Sequence, residues 1–336
     1  METLRLKDNA KGINKAAEIL KNGGVVAIPT ETVYGLSASA YDERAIKKIF
    51  EAKGRPQDNP LIVHVCSLNM AREITQDFSE EAKLLAENFW PGPLTIILNK
   101  NDKIPKVVSA GLDTVAVRMP NNKIAKELIE ISGLPLAAPS ANISGSPSPT
   151  SAEHVIADLD GKIDAVIMSE SCSVGVESTV ITLAQKPFRV LRPGAVTPEE
   201  IKELLPGTEV DKAILEEIKN DEKVLSPGMK YKHYSPKTEV FLVEGTSEDF
   251  CQFVNQKENS LAVCFDDEED KIIIKKLPYG KSEDDSEKAK QLFDILRKVD
   301  EIEIKTVYVH APQKEGIGLA VYNRLIRAAA FKVIVL

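Results

Sequence analysis

The sequence predicts a two-domain α/β protein, with a large α/β unit over residues 1–205, a linking segment over 206–237 and a small, doubly wound parallel unit over 238–336. Three observations carry that expectation. A chain of 336 residues is long enough for two cores, at roughly 100–200 residues per domain. Short apolar runs alternate with helical periodicity through both stretches. Between them the pattern loses regularity, and residues 226–236 are bracketed by prolines that oppose both helix and central strand.

In the first unit a helix over residues 13–21 runs into Asn22, Gly23 and Gly24, a left-handed stop, before a buried strand over 25–28. A helix over 45–53 closes at Gly54 and precedes a strand over 61–65. Further strands read at 94–98, 115–117, 136–138, 165–168, 179–183 and 188–191, with helices at 79–89 and 123–132. Residues 150–153 and 197–200 both show the capping-box pattern, the second with Pro198 at the first helical position of a helix ending near Leu205. The second unit reads as strand 239–243, helix 248–256, strands 261–265 and 272–276, helix 287–299, strand 306–309, helix 317–330 and strand 333–335. It lacks G-x-G-x-x-G, so no dinucleotide role is expected of it. The acidic runs 266–270 and 283–287 read as solvated loops.

Charge narrows the functional classes. Lys and Arg number 43 against 51 Asp and Glu, a net charge of −8, the wrong sign for a protein that coats nucleic acid or an anionic membrane. Any phosphate must therefore meet a local basic site. No stretch approaches ~18 uninterrupted apolar residues and the start has no signal-peptide layout, so a cytoplasmic, membrane-free protein is expected. Cys66, Cys172, Cys251 and Cys264 are scattered, without metal-ligand spacing. Reduced, buried thiols are expected, and no metal site made of protein side chains is assigned.

Polar residues gather where strands end. Residues 29–35 place two hydroxyls and a carboxylate directly after a strand, as a ligand site or as a turn with hydroxyl caps. Lys53 and Gly54 suit helix termination. Arg55 and Asn59, in a Pro-stiffened loop, suit a polyphosphate better. His64 lies within a strand, as a core histidine or a ligand group. Arg118 sits among apolar neighbours and must pair with an anion, either an internal carboxylate or a bound substrate. The hydroxyl-rich stretch 139–150 leads into a helix N-terminus, as an anion cradle or a plain Ser/Pro loop. No Walker A loop and no nucleophilic dyad is present. Lys230, Lys232 and His233 interleave with Tyr231 and Tyr234 in the link, either as a lid that stacks on a base and screens phosphates or as a solvated tether.

Taken in order, PTETVYG (29–35), KGRP with NPLIVH (53–64), WPGPLT (90–95), GLDTVAVRMP (111–120), APSANISGSPSPT (138–150), GVEST (175–179), LRPG (191–194) and SPGMKYKHYSP (226–236) closely resemble the YrdC family of threonylcarbamoyl-AMP synthases, in its longer archaeal and yeast type. The resemblance covers nearly the whole chain. It implies a large, twisted mixed-sheet domain with a concave site, followed by a smaller Rossmann-like parallel domain. It implies an enzyme that joins L-threonine, bicarbonate or CO2, and ATP with Mg2+ into threonylcarbamoyl-adenylate, releasing pyrophosphate. The product would pass to a transferase complex that modifies tRNA, and tight direct tRNA binding is not expected of so acidic a chain. By the same carry-over Lys53, Arg55, Ser140 and Asn142 are the catalytic set at the nucleotide. Asn59, Thr114, Ser148, Arg192, Pro227, Tyr231 and His233 join them at ATP, while Thr30, His64, Arg118, Ala138 through its backbone and Ser178 face threonine. The competing class is a non-catalytic nucleotide or double-stranded RNA binder, which a steep salt dependence of RNA affinity would support.

Overall fold

The computed structural model describes residues 2–216 and 234–336. In the first unit, chain order runs β1 (Leu4–Lys7), α1 (Ala10–Lys21), β2 (Val26–Ile28), β3 (Gly35–Ser39), α2 (Glu43–Lys53), β4 (Ile62–His64), α3 (Leu68–Ile74), α4 (Glu80–Phe89) and β5 (Leu94–Asn99). It continues through β6 (Thr114–Arg118), α5 (Lys123–Ser132), β7 (Leu136–Ala137), α6 (Ala152–Leu159), β8 (Ala165–Met168), β9 (Thr179–Thr182), β10 (Arg189–Arg192), α7 (Pro198–Leu204) and β11 (Glu209–Val210). Among the described residues these strands form one mixed sheet, ordered β1-β8-β2-β3-β7-β4-β6-β5-β9-β10-β11.

Local chemistry sets most helix limits. Asn9, Asp42 and Asn122 cap α1, α2 and α5 with their side chains, and Gly54 and Gly133 end α2 and α5 in left-handed conformation at φ 59° and 67°. Thr197 and Glu200 form the reciprocal capping box expected of α7. The box expected at Thr150 does not form. Ser151 caps α6 through the His154 N–H, and Thr150 instead turns its amide to the His154 ring at 3.3 Å.

Three strands escaped the sequence pattern, β1, β3 and the two-residue β11. β3 is made of Gly, Leu and small residues, yet it is fully buried between β2 and β7, with Ser37 Oγ donating to the Val26 carbonyl at 2.7 Å. Tertiary pairing, not intrinsic propensity, makes it a strand. β1 pairs in parallel with β8 at the sheet's edge. The short helix α3 was likewise absent from the sequence pattern.

The second unit comprises β12 (Glu239–Glu244), α8 (Ser247–Asn255), β13 (Ser260–Cys264), β14 (Lys275–Pro278), α9 (Asp285–Val299), β15 (Thr306–His310), α10 (Gly316–Ala328) and β16 (Val333–Val335). Its sheet is parallel throughout, ordered β14-β13-β15-β12-β16. β14 falls three residues later than expected, because Ile272 is buried under α8 at the end of a 3-10 turn while Ile273 is 82% exposed. That turn, Asp266–Lys271, also corrects the reading of the acidic run as a solvated loop. Glu268 is fully buried, pairing with His310 Nδ1 at 2.6 Å and accepting the Phe265 N–H at 2.9 Å.

The two units are packed together. Val33 and Val176 of the first belong to the core of the second. Gly175, at φ +84°, lets α9 come so close that a Cβ there would lie 2.3 Å from the Lys290 Cα. Arg297 of α9 reaches Asp158 of α6 at 2.8 Å and the Pro147 carbonyl at 2.6 Å.

Candidate active site

A cleft open to solvent at its mouth lies on the first unit where strand ends and loops converge, the kind of place where ligand sites are built. Residues 30–35, the end of α2, β4, the tip of β6 and the loop after β7 line one side. Glu177, Ser178, Arg192 and Tyr234 close the other.

At one end lies Arg118, 4% exposed. Its Nε donates to the Gly92 carbonyl at 3.2 Å, its Nη1 to Thr32 Oγ1 at 2.9 Å, and its Nη2 stands 2.7 Å from Glu31 Oε1. The internal carboxylate is therefore one of the two anions the sequence left open. The pair is imperfect: Nη2 and both Glu31 oxygens are buried without a directed hydrogen bond. His64 is also buried, and neither ring nitrogen has a partner. Burial first, and the Arg118 charge second, push its pKa well below the histidine range, so the ring is a neutral imidazole with one donor and one acceptor. It is not a satisfied core histidine. The Thr30 hydroxyl is spent on its own turn, donating to the Val33 carbonyl at 2.6 Å, although both Thr30 and Thr32 line the cleft. Ala138 lines the cleft with its N–H committed to the Ile62 carbonyl at 2.9 Å.

At the other end the loop after β7 is held by Lys53. This side chain is 2% exposed, and its Nζ donates to the carbonyls of Ser140 and Asn142 at 2.5 and 2.6 Å. Burial, with Arg55 next, pushes the lysine well below its usual range. Ser140 Oγ donates to Asn142 Oδ1 at 2.6 Å, and the Asn142 amide reaches the carbonyls of Ile143 and Ser146. Arg55, on the cleft wall, leans on the Asn59 and Pro60 carbonyls. Asn59 itself does not line the cleft, and its side-chain amide is buried without a hydrogen-bond partner. Thr114 lies in a separate depression beyond Pro60 and Leu61, which face both.

The wall formed by Glu177, Ser178 and Arg192 is charged and buried. Ser148 Oγ donates to Glu177 Oε1 at 2.5 Å, and Glu177 Oε2 receives Arg324 Nε of α10 at 3.0 Å. Burial alone would raise the Glu177 carboxyl, but Arg324, Arg192 and Ser148 together hold it below the usual range. Arg192 donates to the Ser178 carbonyl and hydroxyl at 3.0 and 3.2 Å, and Ser178 also meets Thr95 at 2.8 Å. Burial brings Arg192 down to about 10, still a cation at neutral pH. Pro227, Tyr231 and His233 lie outside the described residues.

Sequence reasoning thus brought eleven candidates to one cleft: Thr30, Lys53, Arg55, His64, Arg118, Ala138, Ser140, Asn142, Ser148, Ser178 and Arg192. Thr32 and Tyr234, offered by the 29–35 loop and by the link, also line it, whereas Glu177 and the second unit's Arg324 were not among the candidates. For Arg324 a signal existed, an arginine set with Arg327 among the apolar residues of α10. Among the described residues no cluster of three His, Cys, Asp or Glu could hold a metal, and no helix is long and apolar enough to cross a membrane.

Comparison with known proteins places this geometry in context. A family model described as telomere recombination (Sua5_yciO_yrdC) matches residues 18–194, and one described as the C-terminal domain of threonylcarbamoyl-AMP synthase matches residues 196–330. The chain is 45% identical to the threonylcarbamoyl-AMP synthase of Pyrococcus abyssi, covering 96% of this chain and 95% of that one. It is 43% identical to that of Bacillus subtilis, over 99% and 97%. The crystal structure of P. abyssi Sua5 complexed with L-threonine superposes with a TM-score of 0.90 at 40% identity, covering all of both chains. The two-domain type therefore extends to a bacterial relative.

Proposed function

This chain belongs to the threonylcarbamoyl-AMP synthase family of enzymes, and from that premise we propose that it makes L-threonylcarbamoyl-adenylate from L-threonine, bicarbonate or CO2, and ATP, releasing pyrophosphate. The observation that carries the reading is the cleft's division of labour. One end offers a buried cation and an unpartnered imidazole at Arg118 and His64, matched to the carboxylate and the amine or hydroxyl of a small amino acid. The other end offers an ordered hydroxyl and amide loop with Arg55 beside it, matched to a polyphosphate. A relative bound to L-threonine supports the first assignment.

Such chemistry asks for positioning. The neutral threonine amine adds to CO2 with loss of a proton, or to bicarbonate with loss of water, and gives a carbamate. A carbamate oxygen then attacks the α-phosphorus of ATP as the bond to pyrophosphate breaks. Arg118 orients the threonine carboxylate, displacing the loosely aligned Glu31. Arg55 and Arg192 offset the charge gathering on the leaving pyrophosphate, and the Lys53-held loop fixes the nucleotide. Mg2+ arriving with the nucleotide would screen its phosphates; no protein ligand for it is assigned. We place the reaction in the cytoplasm, as the first step of threonylcarbamoyladenosine formation in tRNA, with a downstream transferase as the acceptor of the adenylate.

The test is pyrophosphate release from Mg-ATP and bicarbonate with each of the twenty amino acids, omitting one component at a time. Release that needs both threonine and bicarbonate is expected. A folded protein giving no threonine-dependent release would overturn the reading.

A further inference from the structure

We propose that Arg324, supplied by the second domain, is a positioning residue for the cleft: it neutralises Glu177 so that a polyphosphate can lie between Ser148 and Arg192. The inference rests on the reading that ATP occupies this cleft. Arg324 is fully buried on α10 and touches none of the space a ligand would fill. Its guanidinium nevertheless ties together two loops that do. Nε donates to Glu177 Oε2 at 3.0 Å and Nη2 to the Glu177 carbonyl at 3.2 Å, while Nη1 donates to the carbonyl of Pro193, next to Arg192.

Glu177 is the carboxylate that lines the cleft among the described residues. Its other oxygen holds Ser148. A buried carboxylate facing a site for a triphosphate is a liability unless a cation answers it, because like charges repel strongly where water is excluded. Arg192 is engaged with Ser178, and Arg118 lies against Glu31. Arg324 is the cation bonded directly to the Glu177 carboxylate. The second domain cannot drift and leave that bond intact, because α9 is seated on Gly175, two residues from Glu177, with no room for a Cβ. Docking of the two domains and the charge state of the nucleotide wall are thus one event.

A purely structural arginine would affect every ligand alike. The proposed role distinguishes them by charge. Calorimetric titration of ATP, adenosine and L-threonine into the full-length chain reads the difference. For Arg324→Met, which removes the charge and keeps most of the bulk, at least a tenfold rise in the ATP Kd is expected, equivalent to about 1.4 kcal/mol. Adenosine and threonine should change less than threefold. Arg324→Met combined with Glu177→Gln should recover most of the lost ATP affinity, since the repelling charge has gone with its partner. Glu177→Gln alone, an arm that does not depend on the Arg324 variant folding, should bind ATP at least as tightly as the parent. Equal losses for ATP and adenosine, no rescue in the double variant, or tenfold weaker ATP binding by Glu177→Gln would each overturn the proposal. If the parent chain itself binds no ATP, it is the functional reading that fails. If the parent binds ATP and Arg324→Met binds it equally well, the inference alone fails.

Discussion

Replacing Glu268 with alanine should cost the second domain about 3–5 kcal/mol, although the residue sits in a run of five acidic side chains that reads as solvent-exposed loop. Its Oε1 meets His310 Nδ1 at 2.6 Å, and its Oε2 accepts the Phe265 N–H at 2.9 Å. The other ring nitrogen of His310 stands 3.1 Å from the Gly245 carbonyl, so both ring nitrogens have a partner. Phe250 and Phe265 stack on the two faces of that ring, with centroids 4.4 and 4.5 Å away. Alanine leaves the imidazole and a buried backbone N–H without partners, at about 1–3 kcal/mol each, in agreement with the cost of breaking a buried ion pair. Asp270→Ala, exposed in the same run, is the control and should stay within about 0.5 kcal/mol. Guanidinium unfolding reads both, with circular dichroism for the whole chain and fluorescence of Trp90, the single tryptophan, for the first domain. Glu268→Ala should move the dichroism transition to lower denaturant. A Glu268→Ala curve that overlays Asp270→Ala would refute the buried-pair argument.

Three further outcomes are expected. Arg118→Ala should raise the threonine KM at least tenfold more than the ATP KM in the pyrophosphate assay; equal effects would remove Arg118 from the amino-acid end. Gly175→Ala places a Cβ against backbone atoms of Lys290 and Ala289 at 2.3 and 2.5 Å, on a residue already at φ +84°, so a loss of about 2–4 kcal/mol is expected, and an unchanged melting temperature would show that α9 yields freely. Asp294 is held down to about 2, chiefly by its hydrogen bond to His154 of the first domain and then by Lys298. A depressed acid stabilises fully above its unfolded value near 3.8 and loses that contribution as the pH falls toward 2. The exposure of the pair keeps the effect below about 1 kcal/mol. Asp294→Asn and the parent should therefore differ above pH 4 and converge near pH 2, and a gap independent of pH would contradict the linkage.

Legibility followed the range of the forces involved. Helices α1, α2, α5 and α9 were readable because side-chain period, cap and stop are all local, as at Asp42 and Gly54 around α2. β3 was not, because Gly-Leu-Ser-Ala-Ser has no strand character until β2 and β7 flank it. Glu268 and Arg324 were hidden for the same reason: their partners lie 42 and 147 residues away. A charge run is solvated on average, and nothing within the run says which member turns inward.

The candidate site shows the same limit in a sharper form. Residue type at a strand end announces that a polar group is needed there, but not whether the protein or a ligand will satisfy it. Lys53 was read as a cation for a triphosphate, yet its ammonium lies on the carbonyls of Ser140 and Asn142. Thr30 spends its hydroxyl on a turn and Ser148 on Glu177. Conversely His64, open to reading as a core histidine, has both nitrogens unpartnered at the cleft. These are opposite solutions to one constraint, since a buried polar atom without a partner is costly. Buried atoms stay unpartnered at His64, and at Arg118 and Glu31 beside it, while Lys53, Ser140 and Asn142 are satisfied by one another. Preorganisation is therefore uneven: on the proposed reading, the loop held by Lys53 is set by internal bonds before a nucleotide arrives, although Asn59 nearby keeps its amide unpartnered. On the same reading, the unsatisfied groups around Arg118 and His64 are ones that a small zwitterion of matching charge would complete.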